Sequence, residues 1–155
     1  MNQDLGTVRT IAAAHRQVPG GLLPALHAVQ DALGHVPDEA VPVLAQSFNL
    51  SRAEVHGVLT YYHHFRRQPP GRQIVQVCRA EACQACGADE VMAQAESLLG
   101  CAAGETRADG EVTLLPVYCL GLCASSPALQ IGDKLHAAVT PARLPRLLAD
   151  AGLAR

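Results

Sequence analysis

Four of the six cysteines in this 155-residue chain fall into two pairs. Cys78 and Cys83 are separated by Arg79-Ala80-Glu81-Ala82, and Cys119 and Cys123 by Leu120-Gly121-Leu122. The stretch from Gln84 to Tyr118 lies between the pairs. Thiolates are soft ligands, and four of them suit zinc or an iron–sulfur centre. Each pair follows a segment that reads as a strand. Loops at the same ends of neighbouring strands would bring the four sulfurs together. Zinc loops favour tighter Cys-x2-Cys knuckles, and both gaps here are wider. The spacing therefore points to one [2Fe–2S] cluster with Cys78, Cys83, Cys119 and Cys123 as its iron ligands. Such a cluster is an anion that one-electron reduction makes more negative, so backbone N–H donors must face its sulfurs. The loop residues are mostly small or apolar. Gly121 can adopt positive φ and turn amides inward, and Arg79 offers a nearby positive charge.

Cys86 leaves alternatives open. Cys78-x4-Cys83-x2-Cys86 with a distant Cys119 also matches plant-type ferredoxin spacing. Cys83-x2-Cys86 alone is the spacing of a thioredoxin-type dithiol. The first leaves the Cys119–Cys123 loop unexplained, and the second leaves Cys78, Cys119 and Cys123 without a role. Cys101 has no near partner in sequence and reads as a small buried hydrophobe. Six of the seven histidines precede residue 70: His15, His27, His35, His56, His63 and His64. No Cys accompanies them, so they read as surface or interface side chains. Arg66-Arg67 reads as a solvated helix end or a docking contact. No Rossmann or P-loop glycine fingerprint and no nucleophile–base pair is legible. No catalytic residue is expected.

Two stretches of different periodicity must position these groups. Residues 1–70 read as a helical bundle. Its helices are expected at about 4–16, from Leu22 to Leu33, at about 38–48 and from Ser51 to about Tyr62. Leu22, Leu23, Leu26, Val29, Gln30 and Leu33 share one helical face. Ser51-Arg52-Ala53-Glu54 has the form of a capping box. Gln68-Pro69-Pro70-Gly71 stops the helices. Residues 71–155 then read as a second domain. Strands are expected at 72–78, 111–118, 128–131 and 135–139. Helices are expected at 88–99 and 141–151, the last capped by Thr140. The order β-α-β-β-α is that of a thioredoxin-like α/β domain, so the whole is an α+β chain in two parts.

Apolar residues make up 49% and charged residues 17% of the chain, which allows a buried core. Aromatics are 3% and Trp is absent, so Leu, Val and Ala must build that core. No run approaches the ~20 apolar residues of a membrane helix, and no signal-peptide pattern opens the chain. A cytoplasmic protein without membrane insertion is expected, where cysteines serve as ligands more often than as disulfides. Leu44 to Tyr62 also reads as a helix-turn-helix, which raises an iron–sulfur-sensing regulator as the rival of another class. Residues 1–70 hold five Lys/Arg against five Asp/Glu. A neutral domain is poorly equipped for phosphate neutralisation, so no nucleic-acid partner is expected.

Val77-Cys78-Arg79-Ala80-Glu81-Ala82-Cys83 and Tyr118-Cys119-Leu120-Gly121-Leu122-Cys123-Ala124 resemble the thioredoxin-like [2Fe–2S] family. That family includes the 24-kDa subunit of respiratory complex I and subunits of NAD-linked hydrogenases and formate dehydrogenases. Leu50 to Val55 and Tyr61 to Phe65 resemble the family's helical part. The run from Cys78 to Cys83 is most similar to the gamma subunit of molybdenum-containing, NAD-dependent formate dehydrogenase. The resemblance implies a non-catalytic electron-transfer subunit of an NAD-dependent oxidoreductase. It would dock on an FMN- and NAD-binding subunit and accept one electron transiently. A second partner with a molybdenum cofactor and further Fe–S clusters would oxidise formate to CO2. The equivalent subunit of an NADH:quinone oxidoreductase or NAD-linked hydrogenase is the alternative.

Overall fold

The structure is a computed structural model that describes residues 2–153. The chain divides into two compact units, Met1–Pro69 and Pro70–Arg155.

The first unit contains α1 (Asn2–His15), α2 (Leu22–Leu33), α3 (Ala40–Phe48) and α4 (Arg52–Tyr61). Its core is aliphatic: Val8, Ala12, Leu26, Val29, Leu44 and Val55 are fully buried. On α2 the buried residues are Ala25, Leu26, Val29 and Gln30, while Leu22, Leu23 and Leu33 are partly covered. A buried amide must find partners, and Gln30 has two. Its Nε2 donates to the His64 carbonyl at 3.0 Å, and its Oε1 accepts from the Arg66 N–H at 2.7 Å. One side chain on α2 thereby holds the segment that follows α4. The capping box at Ser51 and Glu54 is complete.

The second unit is β1 (Gln73–Cys78), α5 (Glu81–Ala85), α6 (Ala88–Leu99), β2 (Val112–Val117), β3 (Leu129–Ile131), β4 (Lys134–His136) and α7 (Leu144–Asp150). The sheet order is β2-β1-β3-β4. Strands β1 and β2 are parallel, and the other two pairings are antiparallel. A parallel pair needs a crossover, here supplied by α5 and α6. Val75, Val77, Leu114, Leu129 and Ile131 of the sheet pack with Val91, Ala95 and Leu99 of α6 and Leu144 and Leu148 of α7.

Four elements differ from expectation. Helix α5 is five residues long, too short for a periodic signal. Strands β3 and β4 have three residues each, fewer than the expected spans. Helix α7 begins at Leu144. Thr140 instead caps the turn before it, where its hydroxyl accepts from the Arg143 N–H at 3.3 Å.

Gly71 enters the sheet unit against β2. Its N–H donates to the Thr113 hydroxyl at 2.6 Å, and a Cβ there would lie 2.7–3.0 Å from the Val112 backbone. Gly57, inside α4, has open space around its Cα. Gly71→Ala is therefore expected to destabilise the chain by about 1–3 kcal/mol through overpacking. Gly57→Ala should stabilise it by about 0.5–1 kcal/mol through helix propensity. Urea unfolding of both variants checks the pair.

Candidate metal centre

Cys78 is the last residue of β1 and stands in register with Val117, the last residue of β2. Parallel pairing places both strand ends on one side, so Cys119 follows within two residues of that point. Cys78 is fixed on two sides. Its N–H donates to the Ala128 carbonyl at 3.0 Å, and the next amide, of Arg79, donates to Val117 at 2.7 Å. Helix α5 then carries Cys83. Cys78 and Cys83 are 1% and 2% exposed and pack with Ala88 and Ala128, under Leu120 and Leu122. Cys119 and Cys123 are exposed.

The Cys119 and Cys123 sulfurs are 3.6 Å apart. Two thiolates bound about 2.3 Å from one tetrahedral ion would stand ~3.8 Å apart. The second pair is therefore spaced as two ligands of one metal. The first pair are neighbours too, since Cys83 is close enough to lower the Cys78 pKa. The pairs meet at Cys78, which also takes hydrogen bonds from the amides of Leu120 and Cys119. Among the described residues, no three His, Cys, Asp or Glu side chains are placed to hold one single ion. The thiols stand as two twos.

Electrostatics follow from this crowding. Burial pushes the Cys78 thiol up, but the Ala80 amide, the Cys83 thiol and the Leu120 and Cys119 amides together outweigh it, and its pKa falls below the ordinary value. The Cys123 thiol moves up, first because it hydrogen-bonds to Cys119, then through the charges of Cys119, Cys83 and Cys78 and a little burial. Cys78 thus gives up its proton more readily and Cys123 less readily, as negative charge on neighbouring sulfurs requires. A cationic metal core removes that conflict, so the donor set fits a di-iron cluster with two thiolates per iron.

Gly121 has φ 76°, and its N–H points to the Cys119 sulfur at 3.3 Å. This is the inward amide expected of it. Arg79 departs from expectation. Its guanidinium is tied to Asp89 in the first turn of α6 at 2.7 Å, and the donors that lower Cys78 are amides and a thiol. Cys86 is the C-cap of α5 and is exposed. Cys101 is half-buried against the sheet core, and burial pushes its thiol up, as suits an inert side chain.

Two features escape sequence reasoning. Cys119 has φ 108°, a conformation rare outside glycine, and such strain gathers at functional sites. Nothing in a cysteine's identity signals it. Ser126 bridges the two loops: its hydroxyl donates to the Cys123 carbonyl at 2.9 Å and accepts from the Cys83 thiol at 3.5 Å. A serine before Pro127 was the only hint.

Among the described residues, the histidines belong to no group of three side chains placed to hold an ion. The rings of His27 and His64 are 5.6 Å apart, and His27 lies 4.9 Å from Phe65. Partial burial moves the His64 pKa down, helped by Arg66 and His27. Arg67 makes a two-pronged pair with Asp38 at 2.8 and 2.9 Å.

The fold and the four thiols define a class, a thioredoxin-like α/β domain built to hold an iron–sulfur cluster. Residues 8–152 match the model of the thioredoxin-like [2Fe–2S] ferredoxin family, and the chain belongs to that family. The E subunit of the NADH-quinone oxidoreductase of Pseudomonas aeruginosa is 41% identical over 126 residues, 81% of this chain and 76% of that protein. An E subunit of the same oxidoreductase from Rhizobium meliloti, the one numbered 2, is 35% identical over 141 residues, 91% of this chain and 84% of its own length. The corresponding E subunit of Escherichia coli is 37% identical over 126 residues, 81% of this chain and 76% of that protein. A crystal structure of an NAD+-reducing [NiFe]-hydrogenase in the air-oxidized state shares the fold, with TM-score 0.70 and 24% identity. That likeness covers 88% of this chain but spans only 23% of the hydrogenase chain. These relatives carry NADH-quinone oxidoreductase and hydrogenase names, and none of them supports the formate assignment.

Gly121→Ala should strain the loop at positive φ by about 1–2 kcal/mol. Urea unfolding of the cluster-free chain should show that loss, whereas Gly104→Ala, at φ 91° in a loop remote in sequence, should show the same loss without any change in iron retention.

Proposed function

We propose that this chain is an electron-transfer component of a complex of the NADH-quinone oxidoreductase type, holding one [2Fe–2S] cluster on Cys78, Cys83, Cys119 and Cys123. The observation that carries the reading is the meeting of two thiol pairs at the paired ends of β1 and β2. The identity to the oxidoreductase relatives supports the type of complex. This moves the alternative drawn from the sequence ahead of formate dehydrogenase. The chain would sit beside an FMN- and NAD-binding partner as a cytoplasmic, peripheral part of the assembly, with residues 1–70 as a helical domain and 71–155 as the cluster domain. No helix among the described residues is long and apolar enough to cross a membrane.

When bound, the cluster supplies a one-electron carrier. The protein's part is positioning and charge compensation. Cys78 and Cys83, both buried, would hold the cluster on its inner side, away from water. Amides of Ala80, Cys119, Leu120 and Gly121 donate to sulfur and offset the charge that an added electron brings. Cys119 and Cys123, which are exposed, would hold the cluster on its solvent-facing side.

A second reading keeps formate as the electron donor, on the Cys-Arg-Ala-Glu-Ala-Cys run. It requires a molybdenum-containing partner. Iron content and reduced EPR spectra of single Cys→Ser variants test the ligand set. Loss is expected at 78, 83, 119 and 123, with retention at 86. Retention at 123 with loss at 86, or zinc in the purified protein, overturns it. The complex isolated with this chain decides the donor: NADH-dependent quinone reduction without molybdenum is expected, and formate-dependent NAD+ reduction with molybdenum favours the second reading.

A further inference from the structure

The two halves of the thiol site differ in access, and that difference has a chemical consequence in the cluster-free chain. Cys78 and Cys83 are 1% and 2% exposed, so a small oxidant cannot reach them. Cys119 and Cys123 are both exposed, and their sulfurs are 3.6 Å apart. A disulfide needs about 2.05 Å between sulfurs. The loop Leu120-Gly121-Leu122 between them is short, and Gly121 lies at its centre with φ 76° and open space around its Cα. The remaining approach is within the reach of such a loop.

We propose that, without a cluster, Cys119 and Cys123 close into an intraloop disulfide that reserves the open half of the site until it is reduced. This rests on the assignment of both residues as cluster ligands. The oxidant is a low-molecular-weight disulfide. One protein sulfur, as thiolate, attacks it and forms a mixed disulfide, releasing one small thiolate. The other protein sulfur, also deprotonated, displaces the second small thiolate. Two protein S–H bonds and the small S–S bond break, and one protein S–S bond forms. The two protons end on the two small thiols. The protein is oxidised by two electrons, and the small disulfide is reduced by two. The closed pair has no thiolate to offer iron, so cluster loading depends on prior reduction. Cys86 is exposed as well and serves as the comparison thiol.

The test uses the full chain, freed of metal and treated with oxidised glutathione. Free thiols are then alkylated in denaturant, and the chain is cut with trypsin. The peptide from Ala108 to Lys134 contains Cys119 and Cys123 and no other cysteine. The expected result is loss of both alkylation sites on that peptide, with a mass lower by two hydrogens. The Cys86→Ser chain should give the same peptide. Iron uptake from ferrous iron and sulfide should be lost after oxidation and restored by a thiol reductant. Two alkyl groups on that peptide, a persistent glutathione adduct, or a Cys83–Cys86 bond in its place overturns the proposal. If the disulfide forms as expected but the reduced chain takes up no iron, the disulfide stands and the cluster assignment fails.

Discussion

The parallel pairing of β1 with β2 is the constraint on which the site depends. Its register sets Cys78 opposite Val117, so the chain leaves both strands at the same end and at nearly the same height. A slip of one residue would turn every side chain on one strand to the opposite face. The buried row of Val75, Val77, Val112 and Leu114 makes such a slip costly. Apolar burial in the sheet therefore determines where a polar, reactive site forms. The crossover through α5 and α6 closes the pairing and brings Cys83 back towards the strand end.

The site divides the work between burial and exposure. The Cys78–Cys83 half is packed among alanines and leucines. The Cys119–Cys123 half lies on a loop held by Gly121, Ser126 and a strained cysteine backbone. Amides from that loop reach across to Cys78. The polar support comes from the backbone, whose dipoles are fixed, while the charged Arg79 is committed to Asp89. Fixed dipoles need little reorganisation when one electron arrives, as a carrier requires.

The helical unit uses its polar side chains structurally. Gln30 binds two backbone groups of the segment after α4, and Arg67 is spent on Asp38. The two helices that read as a helix-turn-helix, α3 and α4, are joined by Asn49 in the left-handed conformation and capped by Ser51. Their geometry is that of local capping chemistry, and both helices fall within residues 8–152, which match the family.

Much was legible in the amino-acid order because it rests on local rules. Helix α2 was readable from its spacing, the capping box from two residues, and the thiol pairs from their gaps. The fold class followed from the order of elements. The formate assignment rested on six residues of one loop, too local a signal to specify a partner, and the relatives point elsewhere. Sequence alone thus determined which atoms are available for metal chemistry and which segments carry them, because residue type and periodicity are local properties. Only tertiary structure decided which thiols are buried, which amides aim at them, that Arg79 turns to Asp89, and that Cys119 holds positive φ. Those outcomes come from packing between segments distant in the chain, and no short stretch of residues encodes them.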